Sequence, residues 1–376
     1  MDSGKLKYKI ALSLIPKVGH ITAKKLVAYV GDFEGVFKES KKSLLKIPDI
    51  GQTLANNIVH SNVLPLAEKE VEFIEKNNIR VIFYLDEEYP ERLKHCIDAP
   101  ILLYTKGELS LNQRKVLSIV GTRKATDDGV TFCTSLVAAL ADRGHNPIIV
   151  SGLAYGIDAT AHNAALKNNL ATVAVLGHGL DIIYPASHKS LAKKITDNGL
   201  LITDFPSKSK RDKNNFVKRN RIIAGLSDAT IVVESGKKGG ALITADIANS
   251  YNRDVFAVPG RVTDTYSKGC NQLIKSHKAA LLEKVEDIEY ILGWEPENNK
   301  MNQKDIQRHL FVELNDEEKI IVEILKSNTK ELPIDTICLK AQMPTSKVSP
   351  ILLELEFKGI IKTLPGKTYK LISSFY

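Results

Sequence analysis

Positions 215–227 form a basic run whose residue types suit the binding of a polyanion. The run reads Asn-Phe-Val-Lys-Arg-Asn-Arg-Ile-Ile-Ala-Gly-Leu-Ser, so Lys218, Arg219 and Arg221 all lie near its start. We expect these residues to form the first turns of a helix, where backbone N–H groups, the helix dipole and guanidinium groups all favour phosphate. The alternative is a solvated basic face without a ligand.

The aromatic residue of this run, Phe216, distinguishes a nucleic acid from a single phosphate ligand. A base that stacks on an aromatic ring contributes about 1–3 kcal/mol, and this stacking is indifferent to the base sequence. The neighbouring cations favour stacking on Phe216. The alternative is a core residue that anchors the helix.

Positive charge also gathers just before the run. Residues 205–214 add Lys208, Lys210, Arg211 and Lys213 against Asp212 alone, and the whole chain has a formal net charge of +8 and an isoelectric point near 9.0. Excess positive charge raises the affinity and the encounter rate for nucleic acids or anionic membranes. An acidic partner is therefore expected.

Length and composition limit the class of the protein. The 376 residues predict two or three domains, and a hydrophobic content of 43% is ordinary for a soluble globular protein. No apolar stretch approaches the roughly 20 residues needed to cross a bilayer, and residues 1–9 are too polar for a signal peptide. The four cysteines lack the paired spacing of zinc sites. We expect a cytoplasmic protein without membrane insertion or a metal site.

Residues 64–292 have the pattern of an α/β domain with an extended Rossmann-like parallel sheet core. Runs of Val and Ile without polar alternation suit strands that are buried on both faces, and helical segments separate these runs. The predicted strands are 116–120, 148–150, 172–176, 200–203, 229–233 and 255–258, with 81–84 and 101–105 as candidate extensions of the sheet. The predicted helices between them are 131–142, 159–168, 189–197 and 241–251.

Ligands of an open parallel sheet bind beyond the carboxyl ends of its strands, so the loops after the strands are the expected site. Four of these loops, 121–126, 151–158, 177–179 and 234–241, are rich in glycine or basic residues. Glycine lets an anion approach the backbone closely, and Arg123 can make two hydrogen bonds to one phosphate. Each loop alone is explained by a tight turn, but four on one edge favour a groove that binds a strand.

Several other chemistries are not indicated by the sequence. Neither Gly-x-Gly-x-x-Gly nor Gly-x-x-x-x-Gly-Lys-[Ser/Thr] occurs at these loops, so no nucleotide cofactor is expected. No Ser or Cys stands in a recognisable nucleophile motif, and the histidines lack metal-ligand spacing. We expect His162 to be a buried, hydrogen-bonded structural residue and Asp158 to cap its helix or order the adjacent glycine loop.

Residues 1–63 repeat one pattern, in which a short turn that ends in Gly19 or Gly51 opens an amphipathic helix. This pattern predicts a helical module of the helix-hairpin-helix or SAM-like type, whose glycine turns can offer N–H groups to phosphate. The alternative is a small helical bundle whose glycines only cap helices, since Asp49 in the second turn is poorly suited to phosphate.

The last part of the chain is predicted to be a linker, 293–309, and a winged-helix domain, 310–376. Helices are expected at 316–326, 334–341 and 345–358, followed by a hairpin of 360–364 and 369–372 around Pro365-Gly366. Apolar residues dominate the third helix and basic residues are few. This composition favours a structural or protein-contact role over duplex DNA binding.

The central motifs resemble those of the DNA-processing protein A family, which is also called DprA or Smf. Residues 121–123, Gly-Thr-Arg, correspond to the family's Gly-Ser-Arg motif, with threonine where the family usually has serine. Residues 151–162, 219–227 and 239–245 match its other hallmarks. The resemblance covers the whole central domain, and the terminal domains look like the family's flanking domains.

The resemblance implies a homodimeric, non-enzymatic protein that binds and protects incoming single-stranded DNA. It also implies that the protein loads the RecA recombinase onto this DNA during natural transformation and homologous recombination. Carried over by motif, Arg123 and the basic helix bind phosphates and Phe216 stacks on a base. The residues expected to contact the strand are Gly121, Thr122, Arg123, Thr126, Gly152, Gly156, Lys213, Phe216, Lys218, Arg219, Asn220, Arg221, Gly239 and Gly240.

Two other functions are compatible with the sequence. Nucleotide phosphoribohydrolases that act on nucleoside monophosphates also have a glycine-rich loop near a glutamate, and Glu234 precedes Gly239 and Gly240 in this way. A scaffold whose winged helix recruits a partner is the other function, and it could coexist with DNA binding.

Overall fold

The chain divides into two compact units, Met1–Glu297 and Asn298–Tyr376. The computed structural model describes residues 3–112, 115–210, 212–296, 314–327, 331–358, 360–364 and 368–371. Arg211, most of the predicted linker and the Pro365-Gly366 turn lie outside the described residues. The domain borders at 63, 292 and 309 stay predictions.

The first unit begins with six helices. The two turns that repeat in its sequence, which end in Gly19 and Gly51, also have the same backbone conformation. Gly19 and Gly51 both have φ −85° directly before a helix, and Lys17 and Asp49 both have φ 65° two residues earlier. The helices are α1 Ser3–Leu14, α2 His20–Val30, α3 Phe33–Lys38, α4 Lys41–Leu44, α5 Gln52–His60 and α6 Leu64–Lys76.

The apolar core of these helices continues into the first two strands, β1 (Arg80–Phe83) and β2 (Leu102–Lys106). Ile10 and Leu26 of the helices are buried in the same cluster as Phe83 and Tyr104 of the strands. Burial of this shared apolar surface fixes the helical module against one end of the sheet.

The sheet has nine strands in the order β1-β2-β6-β5-β4-β3-β7-β8-β9. In this sheet β2 pairs antiparallel with β1 on one side and with β6 on the other, and every other pair is parallel. All residues of β3 to β7 are buried, as their unbroken apolar pattern predicts. The remaining strands are β3 Val116–Val120, β4 Ile148–Ser151, β5 Thr172–Val175, β6 Gly199–Thr203, β7 Ala229–Val232, β8 Asp254–Ala257 and β9 Ala280–Leu281.

Helices cover both faces of this sheet, which confirms the predicted α/β class. Leu136 and Ala161 belong to the core on one face, and Ile222, Ile223 and Ala245 belong to the core on the other. Within the described ranges we find no helix with the length and apolar character needed to span a bilayer. The helices are α7 Glu91–Lys94, α8 Asp127–Asp142, α9 Ile157–Lys167, α10 Lys189–Asp197, α11 Lys213–Leu226, α12 Gly240–Ser250, α13 Lys268–Lys275 and α14 Val285–Leu292.

The second unit is a winged helix, as predicted. Three helices, α15 Asp316–Lys326, α16 Ile334–Ala341 and α17 Thr345–Phe357, surround a core that includes Ile321, Ile337 and Leu352. The strands β10 Leu332–Pro333, β11 Ile361–Leu364 and β12 Thr368–Leu371 form a small sheet in the order β10-β12-β11.

Candidate nucleic-acid interface

The basic run forms the helix α11, whose two halves have different surroundings. Asp212 caps its start by accepting a hydrogen bond from the Asn214 N–H at 2.9 Å, and the first turns carry exposed residues. Ile222 and Ile223 in the second half are buried in the sheet core. The helix therefore anchors itself by its carboxyl half and presents its amino half at the carboxyl ends of the strands.

A small cavity of about 70 Å³ lies beside the amino half of α11. Arg123, Tyr184 and Phe216 are among its lining residues. The Arg123 Cζ atom is 5.9 Å from the centroid of the Phe216 ring, and the Tyr184 ring centroid is 5.7 Å from the same point. Aromatic rings beside an exposed guanidinium can hold a base and the phosphate next to it.

Exposed lysines follow one another along the start of α11 and the segment before it. Lys208, Lys210, Lys213 and Lys218 are all exposed, and none of them has an ion-pair partner among the described residues. Unpaired surface cations attract a polyanion, and the attraction weakens with added salt. Lys213 and Lys218 therefore present unpaired charge to the solvent on the first turns of α11.

Arg219, by contrast, lies in the interior, with an exposure of only 4%. Its Nη1 group donates hydrogen bonds to the carbonyl oxygens of Gly152, at 2.7 Å, and of Val175. Burial lowers the pKa of Arg219 to about 10, although the nearby Asp158 carboxylate opposes this shift. The helical period puts position 219 on the same face as 222 and 223, so this guanidinium lies between α11 and the ends of β4 and β5, where it also lines the small cavity.

Asn220 and Arg221 also bind other parts of the protein. The Asn220 Nδ2 group donates to the Gly240 carbonyl at 3.3 Å, while Arg221 pairs with Asp204 and donates to the Asp98 carbonyl. The Arg221 side chain is 11% exposed. Three of the predicted contact residues therefore orient α11, and each donates at least one side-chain hydrogen bond within the protein, although the Nε atoms of Arg219 and Arg221 have no partner among the described residues.

Asp204 connects this helix to the N-terminal helices. Its carboxylate lies 3.5 Å from the His20 Nε2 atom and also pairs with Arg221. Burial raises the pKa of Asp204, but the hydrogen bond from His20 and the charge of Arg221 outweigh this effect and hold the pKa below its ordinary value. The carboxylate is therefore ionised at neutral pH and can bind both partners.

The loop that carries Arg123 is held by hydrogen bonds on both sides. The Thr122 N–H donates to the Glu234 carbonyl at 2.8 Å, and the Ile157 N–H donates to the Thr122 carbonyl at 3.2 Å. Gly156 adopts φ 73°, and a Cβ atom there would lie 2.3 Å from the Thr122 oxygen. The loop is therefore preorganised, and Arg123 extends from a fixed base.

Thr126, at the end of the same loop, is a helix cap. Its hydroxyl accepts from the Gly129 N–H at 3.1 Å, and its own N–H and hydroxyl donate to the Glu234 carboxylate. This geometry makes Thr126 the N-cap of α8. The Glu234 side chain is buried, with an exposure of 9%, and its carboxylate already accepts hydrogen bonds from these two donors.

The predicted glycines have different surroundings. A Cβ atom at Gly121 would lie 2.5 Å from Ile157 Cγ1, and one at Gly152 would lie 2.6 Å from Arg219 Nη1. These glycines allow close packing. Gly240, in contrast, is exposed at the start of α12 and a Cβ atom there would meet nothing within 4 Å, while Gly239 is half-buried against Ser235.

The predicted contact residues omit three residues of the small cavity region, although Tyr155 and Gly177 lie in loops that the sequence analysis named as the expected site. Tyr155 and Tyr184 line the cavity, and Gly177 packs so closely on α11 that a Cβ atom there would lie 2.9 Å from Phe216 Cδ1. The two tyrosines follow β4 and β5 along the chain. Aromatic residues in the loops after parallel strands were therefore the available signal.

His162 is buried and its Nδ1 atom lies 2.7 Å from the Thr172 hydroxyl, which confirms the structural role predicted for it. Burial lowers the pKa of His162 to about 3, and the charge of Arg219 acts in the same direction. The described residues contain no group of three or more His, Cys, Asp or Glu side chains arranged to hold a metal ion.

Known proteins share this architecture and its motifs. Residues 80–292 match the family model of DNA recombination-mediator protein A, and residues 312–367 match that of the DprA winged helix domain. Protein Smf of Synechocystis sp. is 32% identical over 98% of this chain and 100% of its own length.

Two solved structures are also similar. DNA processing protein A from Streptococcus pneumoniae has a TM-score of 0.60 and 31% identity, covering 75% of this chain and 96% of that one. The Helicobacter pylori protein of the same name, whose structure concerns its single-stranded DNA binding mode, has a TM-score of 0.51 and 27% identity, covering 57% of this chain and 95% of its own.

Proposed function

Because the chain belongs to the DNA recombination-mediator protein A family, we propose that it binds and protects incoming single-stranded DNA in natural transformation and homologous recombination. The observation that carries this proposal is the pairing of the Arg123 guanidinium with the Phe216 ring, 5.9 Å apart beside a cavity at the carboxyl ends of the strands. The related Helicobacter pylori protein is known for a single-stranded DNA binding mode.

The shape of the small cavity favours a single strand over a duplex. Its volume of about 70 Å³ accommodates only part of a base, and Tyr184 and Phe216 flank it. Stacking on these rings requires a base that is not already stacked in a duplex. Arg123, Lys213 and Lys218 then supply the sequence-independent attraction for the phosphates of the strand.

This function acts through binding, without a catalytic step. The phosphoribohydrolase alternative depended on Glu234 as the residue near the glycine-rich loop. The Glu234 carboxylate instead accepts two hydrogen bonds from Thr126 and secures the start of α8. This engagement does not favour a catalytic role for Glu234.

The remaining parts of the proposal concern partners and location. We propose that the complex of the protein with DNA loads RecA. We also propose that the active form is a homodimer and that it acts in the cytoplasm. The family membership supports these assignments. In this assignment the winged helix is a protein-contact or structural unit, since Leu339, Leu353 and Phe357 leave apolar side chains exposed on its helices.

A salt titration of oligonucleotide binding tests the proposed site. Arg123→Ala should weaken binding to single strands of any sequence about tenfold and reduce the dependence of log K on log salt by about 0.7, the value for one phosphate contact. Phe216→Ala should weaken binding about 5- to 100-fold without changing the salt dependence, because it removes a stacked base. Lys76→Ala, which alters an exposed cation at the end of α6, serves as the control. Wild-type affinity in both site variants would contradict the proposal.

A further inference from the structure

A second, much larger cavity lies at the same edge of the sheet, beyond the carboxyl ends of β7 and β8. Its volume is about 620 Å³, within the range of sites that hold small organic groups. Its walls come from the start of α8, the end of β7 and the segment 258–267 that follows β8. Nothing in the proposed function so far uses this space.

The large cavity is adjacent to the small one along a single loop. Arg123 lines the small cavity and Thr126 lines the large one, three residues further along the chain. Three residues span at most about 10 Å. A strand that binds Arg123 and continues past Thr126 therefore brings its next bases to the large cavity.

The charges of the large cavity select a base over a phosphate. Asp128, Glu234 and Asp264 contribute carboxylates, and Arg261 is the single cation among the lining residues. The side chains of Asp128 and Asp264 are exposed and have no hydrogen-bond or ion-pair partner among the described residues. Ionised carboxylates only accept hydrogen bonds, so they repel phosphate and attract the N–H groups of a base.

The walls of the large cavity also suit a flat ring. Phe132 and Tyr266 are both half-buried at its lining. The Tyr266 carbonyl accepts a hydrogen bond from the Ser235 N–H at 2.6 Å, which fixes this part of the wall next to Glu234. A wall held in place before the ligand arrives loses little conformational freedom on binding.

From this geometry we infer that the large cavity binds a guanine base of the same DNA strand. Guanine presents a ring N–H and an adjacent amino group on its pairing edge, and one carboxylate can accept both; thymine has one N–H there between two acceptor oxygens. This inference rests on the proposed function and adds a base preference to it. Aromatic stacking holds the ring, and the carboxylates select its edge.

A scan with oligonucleotides tests the inference on the full-length protein. A labelled all-thymine strand is compared with strands in which one thymine is replaced by guanine at successive positions, which avoids structures that guanine tracts form. The wild-type protein should bind at least one guanine position about fivefold or more tightly than the all-thymine strand.

The variant Asp128→Asn/Asp264→Asn should abolish this preference and should bind the all-thymine strand at least as tightly as wild type, because it removes two carboxylates that repel phosphate. The matched control is Asp254→Asn, because Asp254 is an exposed carboxylate at the opposite end of β8. Equal binding of all strands by the wild type, or a preference that survives in the double variant, overturns the inference. Failure to bind the all-thymine strand at all would instead contradict the proposed function.

Discussion

Glu70 of α6 accepts a hydrogen bond from the backbone N–H of Ser207 at 2.8 Å, and a second one from the Ser207 hydroxyl. Glu70 is buried, with 6% exposure, and Ser207 belongs to the lysine-rich segment that leads into α11. The N-terminal helices are thereby joined to the proposed DNA-binding surface through a charged group. This contact gives the helical module a role in positioning that surface.

We expect Glu70→Ala to reduce the free energy of unfolding by about 1–3 kcal/mol, because it leaves two donors of Ser207 without their buried acceptor. It should also weaken single-stranded DNA binding, since the segment with Lys208 and Lys210 loses its fixed position. Urea unfolding and fluorescence anisotropy measure the two effects. Glu72→Ala, on the exposed side of the same helix, should change neither. Equal effects of the two variants would contradict the positioning role.

Arg219 and Arg123 should respond differently to replacement by alanine. Arg219→Ala leaves the Gly152 and Val175 carbonyls and the buried Asp158 without their partner, so it should reduce the free energy of unfolding by about 3 kcal/mol. Arg123→Ala removes an exposed side chain and should change that energy by less than about 0.5 kcal/mol. Urea denaturation midpoints decide between the two roles. An Arg219→Ala protein of wild-type stability that fails to bind DNA would show that this guanidinium contacts the strand.

Gly156 should not tolerate a side chain. Its φ of 73° disfavours other residues, and the added Cβ atom would lie 2.3 Å from the Thr122 carbonyl oxygen. We expect Gly156→Ala to cost about 1 kcal/mol or more in stability and to weaken single-stranded DNA binding by displacing the loop of Arg123. Gly51→Ala is the comparison, because Gly51 has a negative φ and open space around its Cβ position. Wild-type DNA binding by Gly156→Ala would show that the loop position is not critical.

Because His162 is buried, we expect the free energy of unfolding to depend on pH. Its pKa is about 3 in the folded protein and about 6.5 in an unfolded chain. The unfolded state therefore binds the proton first as the pH falls, and the free energy of unfolding should decrease between pH 6.5 and 3, by up to about 1.4 kcal/mol per pH unit.

Replacement of this histidine should flatten the profile. His162→Asn removes the titrating group and retains a partner for the Thr172 hydroxyl, so its stability should vary less across the same pH range. His60→Asn, at the exposed end of α5, should follow the wild-type curve. Unfolding free energies measured at several pH values compare the three proteins, and parallel curves for wild type and His162→Asn would rule out this linkage.

Several features follow from the sequence because they depend on local patterns. The unbroken Val and Ile runs of β3 to β7 require burial on both faces, which only a covered parallel sheet provides. In the helices of the winged-helix domain the apolar residues recur with helical spacing. The basic run also has the residue spacing of a helix. The carboxyl-edge rule then places the loop of Arg123 beside the start of α11, where the structure has it.

The roles of individual cations within that helix were decided only by the tertiary structure. Lys218, Arg219 and Arg221 stand within four positions and look alike in sequence, yet Lys218 is exposed while Arg219 and Arg221 bind Gly152 and Asp204. A helix fixes which side chains share a face, but the direction of that face depends on what packs against it. The sequence thus determined the sheet, the helices and the charge of the surface. Packing against β4, β5 and the N-terminal helices decided which charges face the solvent, because a buried guanidinium must find its acceptors among distant parts of the chain.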